Sequence, residues 1–272
     1  MAVDAALSGL ARYAAAICLA LTLPAAPARS AGVEVDVELV LAVDVSRSMD
    51  HGELQLQRDG YVAAFRHPDV VSAIERGLIG RIAVTYFEWA GPDQTRMVVP
   101  WTVIAGPLDA VAFADMLEDD IPRGARGTSI SGGLAYARAL FHDSGFSGLR
   151  RVIDVSGDGP NNLGDPVTEV RDRVLADGII INGLPVEFSE DRFSTYSIDH
   201  LDDYYEDCVV GGPGSFVVPV REPGQFEVAI RRKLVQEIAG RQAFVVPAQR
   251  VQRPATDCLI GEKLRRRWFR EP

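Results

Sequence analysis

The sequence predicts an α/β fold: a doubly wound, mostly parallel sheet with one antiparallel edge strand. Three observations carry that expectation. Short apolar runs alternate with stretches of helical spacing, and the loops between them are short. Runs such as residues 39–43 and 179–181 are unbroken, as strands covered on both faces require. One pair of strand-like runs, 82–87 and 96–101, is separated only by the turn Gly91-Pro92-Asp93-Gln94, so it forms a hairpin and an antiparallel pair.

The elements follow in order. Arg12 precedes an apolar run of about eleven residues, 13–23, too short to span a bilayer. Ala26-Pro27-Ala28 after it fits a small-residue cleavage site, and residues 1–28 read as a secretory signal peptide. Cys18 lies inside the apolar run rather than at its end, which disfavours a lipoprotein anchor. Residues 35–48 form an apolar strand that runs into Asp44-Val45-Ser46-Arg47-Ser48. Leu54, Tyr61, Val62, Phe65, Val70 and Ile74 then trace a helix face, broken near His67-Pro68. After the hairpin, residues 107–117 have helical spacing and open on a proline.

A glycine-rich loop, 123–128, precedes a helix marked by Ile130, Leu134, Ala137, Leu140 and Phe141. Residues 151–156 are a strand, and Gly157-Asp158-Gly159-Pro160-Asn161-Asn162 is a loop by composition. A helix through Val167, Val170 and Val174 stops at Asp177-Gly178, and the strand at 179–181 follows. Residues 189–207 read as a polar loop with a short helix, and 216–218 as a last strand. Val228, Ile230, Leu234, Val235 and Ile238 suggest the buried face of a last helix. Residues 33–240 therefore form one domain, and 241–272 a C-terminal extension. The basic run from Lys263 to Arg270 reads as a solvated tail, with contact to an anionic membrane surface or a partner as the alternative.

Composition narrows the function. The chain has 272 residues, 47% hydrophobic, which is ample for one core, and a net charge of -10. That balance argues against nucleic acid as a partner, since phosphates need a positive surface. No other segment is long and apolar enough to be transmembrane. Export would place the protein in the periplasm or outside the cell. Cys208 and Cys258 would then be the two cysteines of the mature chain; they form either a disulfide, the expected state, or two half-buried thiols.

Three loops carry the chemistry. Asp44, Ser46 and Ser48 place one carboxylate and two hydroxyls at alternate positions after a strand. Thr128 follows glycine-rich residues and opens a helix, and Asp158 sits between two glycines after another strand. Taken singly, each has an ordinary alternative as a helix cap or a turn residue. Together they lie where open α/β sheets bind ligands, at the carboxyl ends of strands. Their oxygens are hard donors suited to Mg²⁺, Mn²⁺ or Ca²⁺.

This set resembles the metal-ion-dependent adhesion site of von Willebrand factor A-type domains: D-x-S-x-S at Asp44, Ser46 and Ser48, a threonine at Thr128, and an aspartate followed by glycine at Asp158. The third loop, Ser-Gly-Asp-Gly-Pro-Asn-Asn, departs from the family's usual Thr-Asp-Gly. The whole chain looks most like a bacterial secreted branch of that family. The resemblance implies the Rossmann-like fold of such domains, five metal-site residues, bound Mg²⁺ (or Mn²⁺ or Ca²⁺), and a protein partner whose Asp or Glu completes the coordination. Ser129, Ser131 and Asn161 are candidates for the surrounding hydrogen-bond shell, against plain capping and turn roles.

Two other classes stay open: a structural module without a ligand, and a Mg²⁺-dependent hydrolase. The second lacks support, because the sequence has no G-x-S-x-G elbow and no phosphate-binding loop. Gly211-Gly212-Pro213-Gly214 precedes a strand rather than a helix, so no nucleotide is expected either. The expectation is a binding module and not an enzyme.

Overall fold

The computed structural model describes residues 32–188, 198–240 and 255–269. The expected signal peptide and residues 189–197 of the polar loop lie outside them.

Strand β1 (Val33–Asp44) is the centre of a five-stranded sheet of order β3-β2-β1-β4-β5. It pairs in parallel with β2 (Ile82–Trp89) on one side and β4 (Phe146–Gly157) on the other. β3 (Thr95–Ile104) closes one edge antiparallel to β2, and β5 (Ile180–Pro185) closes the other parallel to β4. The hairpin and the buried parallel runs thus appear as the sequence predicts.

The pleat of β1 explains its unbroken apolar run. Val37, Leu39, Leu41 and Val43 face one core, with helices α1 (His51–Arg66), α2 (Pro68–Glu75), α3 (Pro107–Glu118) and α7 (Phe226–Ala239). Val40 and Ala42 face the other, with α4 (Ile130–Leu140), α5 (Val167–Ala176) and the short α6 (Leu201–Tyr204). A single wider turn, Tyr205–Val209, continues α6.

Local chemistry sets the helix ends. Asp50 caps α1 in a reciprocal pair with Glu53: its Oδ1 accepts from the Glu53 N–H at 2.9 Å, and Glu53 Oε2 accepts from the Asp50 N–H at 2.8 Å. Pro68 forces His67 into an extended backbone, which ends α1, and then supplies the first residue of α2. The glycine after α5, Gly178, takes φ +73°, a left-handed turn that leads straight into β5.

Three expectations need correction. Residues 216–218 do not build a strand; Val217 and Val220 make isolated bridges to Gly183 and Val186 along β5. Pro213 and Pro219 interrupt that stretch, and Pro185 leaves β5 one donor short, so no ladder can propagate. The buried face of α7 is also rotated from the expected one. Val228 is exposed, and the face runs through Phe226, Ile230, Lys233, Leu234 and Glu237, with two charged residues inside the stripe. Finally, the described part of the basic run is not an unstructured tail: it lies in α8 (Ile260–Trp268), whose Ile260 packs on the second core, while Lys263, Arg266 and Arg267 stay solvated as expected.

Cys208 and Cys258 form a disulfide with a Cα–Cα distance of 5.5 Å. It ties the turn after α6 to the residues that lead into α8. No helix among the described residues is long and apolar enough to cross a membrane.

Candidate metal centre

The strand order reverses between β1 and β4, which are neighbours although β2 and β3 separate them in sequence. The carboxyl ends of these two strands flank a crevice, and Asp44 ends β1 while Asp158 follows β4. Gly157 makes the close approach possible. A Cβ there would stand 2.9 Å from Asp44 Oδ2 and 2.8 Å from the Tyr205 hydroxyl.

Four of the five residues singled out from the sequence meet directly. The Ser46 N–H donates to Asp44 Oδ1 at 2.7 Å, and its hydroxyl lies 3.1 Å from Asp44 Oδ2. The same hydroxyl is 2.9 Å from Ser48 Oγ and 3.4 Å from Asp158 Oδ1. Ser48 Oγ donates to Asp158 Oδ1 at 2.8 Å. A hydroxyl has one proton, so Ser46 cannot serve all three of its acceptors at once. Oxygen lone pairs outnumber protons at the centre of the cluster.

Thr128 is held beside this cluster by its backbone. Its N–H donates to Asn162 Oδ1 at 3.1 Å, and its carbonyl accepts from the N–H groups of Asn162 and Leu163 at 2.9 and 3.2 Å. The Ala125 N–H donates to the Val45 carbonyl at 2.8 Å, which ties the glycine-rich loop to the first loop. Ser129 caps α4 through Gly132, and the Ser131 N–H donates to Asn161 Oδ1 at 3.0 Å. The three loops are therefore one hydrogen-bonded unit.

Asp44 is fully buried. Burial, and then the charge of Asp158, push its carboxyl well above the usual carboxylate range. Tyr205 is buried against the same strand ends; its hydroxyl is raised by burial and by the charges of Asp44 and Asp158, and it has no hydrogen-bond partner among the described residues. A hard divalent cation fits this arrangement. The donors are all oxygens, and two are carboxylates that repel one another across two serine hydroxyls. Among the described residues, no group of three or more His, Cys, Asp or Glu gathers in a metal-holding arrangement. A site here depends on hydroxyls as much as on acids.

Sequence reasoning missed three residues around the crevice. Gln57 on α1 donates to the Asp44 carbonyl at 3.0 Å, Asn162 clamps Thr128, and Tyr204 accepts from the Asn161 N–H at 3.2 Å. The tandem Asn161-Asn162 was a local signal. Gln57 and Tyr204 come from distant elements and left none.

Residues 34–252 match the model of a family described as a protein of unknown function, DUF1194. The chain belongs to that family. No curated protein matches it. Solved structures similar to this DUF1194 chain are von Willebrand factor A-type domains, and its fold is theirs. Proximal thread matrix protein 1 from the mussel byssus superposes with a TM-score of 0.54 at 13% identity, over 76% of this chain and 49% of that one. The pilus adhesin SpaC from Lactobacillus rhamnosus GG gives 0.53 at 14%, over 76% and 30%. A von Willebrand factor type A protein from Catenulispora acidiphila gives 0.52 at 14%, over 75% and 43%. The DUF1194 chain thus spans half or less of each. A further structure of the mussel protein, at 14% identity and TM-score 0.50, carries a zinc-occupied metal-ion-dependent adhesion motif.

Proposed function

We propose that Asp44, Ser46, Ser48, Thr128 and Asp158 hold one divalent cation, Mg²⁺ (or Mn²⁺ or Ca²⁺), and that the domain binds a protein ligand through it. The observation that carries this reading is the convergence of two carboxylates, Asp44 and Asp158, on the hydroxyls of Ser46 and Ser48, with no cationic side chain among these contacts. The cation supplies the missing positive charge and an acceptor position for an outside carboxylate. Asp44 and Asp158 balance that charge, directly or through coordinated water, and the serine and threonine hydroxyls complete the near side. An Asp or Glu of the partner enters the remaining position.

The metal-occupied motif in the mussel protein and the adhesin among the similar structures support the same reading for this chain. The role is binding rather than catalysis. Export is part of the proposal: residues 1–28 are the leader, residues 33–240 the binding domain and 241–272 its extension. The Cys208–Cys258 disulfide supports an oxidising compartment.

Calorimetric titration of the metal-stripped, oxidised protein with Mg²⁺ and Mn²⁺ tests the site. We expect one site, lost in Asp44→Ala. Retained stoichiometric Mg²⁺ binding in that variant would overturn the assignment. A metal-dependent pull-down, repeated in chelator, then tests for the acidic protein partner.

A further inference from the structure

The family model ends at residue 252, before Cys258 and α8. Yet this last helix reaches the loop that carries Asp158. Gly261 is buried against that loop, and a Cβ on it would stand 2.2 Å from the Asn161 carbonyl oxygen, so only glycine lets the helix seat there. The next residue, Glu262, accepts from Asn161 Nδ2 at 2.8 Å. Its second oxygen, Oε2, is buried with no hydrogen-bond partner among the described residues. Asn161 is thus gripped on every polar group of its side chain: Oδ1 accepts from the Ser131 N–H at 3.0 Å, and Nδ2 also donates to the Asp165 carbonyl at 3.1 Å. Its own N–H donates to the Tyr204 hydroxyl.

The tether is covalent. Cys258, two residues before α8 begins, is bonded to Cys208, in the same short stretch as Tyr204 and Tyr205. Thr256 adds a clamp, since its N–H and hydroxyl donate to Asp207 Oδ2 at 3.3 and 2.7 Å. One disulfide therefore joins two pieces of chain that both touch the crevice: Tyr205 beside Asp44, and α8 on the loop two to three residues past Asp158. Groups that orient a metal's ligands through hydrogen bonds are commonly as necessary to affinity as the ligands' own placement.

We propose that α8, held by Cys208–Cys258, braces the Asp158 loop, and that Glu262 and Asn161 are positioning residues for the metal centre. The effect on cation affinity rests on the function proposed above; the brace itself does not. It is complete only once the disulfide has formed, so the centre reaches full affinity in an oxidising compartment. Glu262 acts through Asn161 and touches no cation.

Two readouts test it. The first is backbone amide hydrogen exchange at Asn161, Asn162 and Leu163 in metal-free protein, with the amides of β1 and β4 as internal reference. Glu262→Ala and the pair Cys208→Ser/Cys258→Ser should speed exchange at these three positions and leave the reference strands protected. Glu262→Gln keeps an acceptor for Asn161 Nδ2 and should restore wild-type protection. The second is titration with Mn²⁺ and Mg²⁺, where Glu262→Ala should bind about tenfold more weakly and Glu262→Gln close to wild type. Unchanged exchange in Glu262→Ala overturns the brace, and this holds even if the serine pair fails to fold. Exchange that speeds with unchanged affinity overturns the positioning role. If wild-type protein binds no cation, the proposed function falls, and exchange alone decides the brace.

Discussion

The same sheet buries two clusters of acids and treats them in opposite ways. At the crevice, Asp44 and Asp158 converge on the Ser46 and Ser48 hydroxyls, with no cationic side chain in these contacts. Deeper along β4, Asp154 and, on α7, Glu237 are as buried as Asp44, but Lys233 reaches both, at 2.7 and 2.5 Å. Asn182 of β5 donates to Glu237 Oε1 at 3.0 Å, and the buried Tyr61 of α1 faces the same group. The inner cluster carries its own cation on a helix; the outer one has none among these contacts. The difference teaches how buried charge can be offset. A lysine supplied from within holds α7 to the sheet, whereas the function proposed here makes the outer pair depend on an ion from solution.

The largest effect that could break this contrast is at the inner cluster. Lys233→Met removes its cation and leaves two buried carboxylates facing one another, with Glu237 Oε2 already unpartnered among the described residues. Breaking a buried pair by removing one partner costs about 3–5 kcal/mol. Urea unfolding should show that loss with or without metal. Neutralising the acids as well, in Lys233→Met/Asp154→Asn/Glu237→Gln, should recover a large part of it. A stable single mutant would mean that the cluster is not held by its charges.

The next effect is at the crevice. Asp44→Ala removes one of two like charges, so in chelator it should cost no more than about 2 kcal/mol, mostly from the Ser46 N–H it leaves unbonded. The metal response should vanish instead. Wild-type protein at a hundredfold excess of Mg²⁺ over its dissociation constant should gain about 2.7 kcal/mol over the chelated form, and the variant nothing. If Asp44→Ala in chelator lost as much stability as Lys233→Met, the crevice would be a structural cluster like the inner one, and the contrast would collapse.

The two clusters also differ in how visible they were in sequence. Strand β1 could be read because its apolar run exceeds what one buried face needs, and the proposed metal residues because each follows a strand or opens a helix. Local spacing carries such information. The inner cluster is long-range. Lys233 and Glu237, four apart, look like a surface pair on an amphipathic helix, and only the rotated packing of α7, with Val228 outside, buries them. Asp154 hides in an apolar strand for the same reason. The seat of α8 was hidden too, since Gly261 just before a basic run reads as a weak helix start until the Asn161 carbonyl against it is known. Partners fixed by tertiary contact leave no periodic trace in the chain.

The last test sharpens the contrast through pH. Burial, and then the charge of Asp154, raise the Glu237 carboxyl to about 7 from an ordinary 4.5, against the opposing pull of Lys233. Asp154 is raised as well, also by burial. A carboxyl whose folded pKa exceeds its unfolded one binds more protons in the folded state. Its contribution to stability is complete below the unfolded value and is lost as pH rises through the folded one. Metal-free wild type should therefore lose stability between pH 4.5 and about 7, by at most about 1.4 kcal/mol per pH unit for one proton. Glu237→Gln keeps a side chain of the same shape and removes the titration, so its stability should be flatter over that window. A slope that survives in Glu237→Gln but disappears when Mg²⁺ is added would place the titrating acid at the crevice instead. The inner lysine would then be balancing its two carboxylates across the whole range.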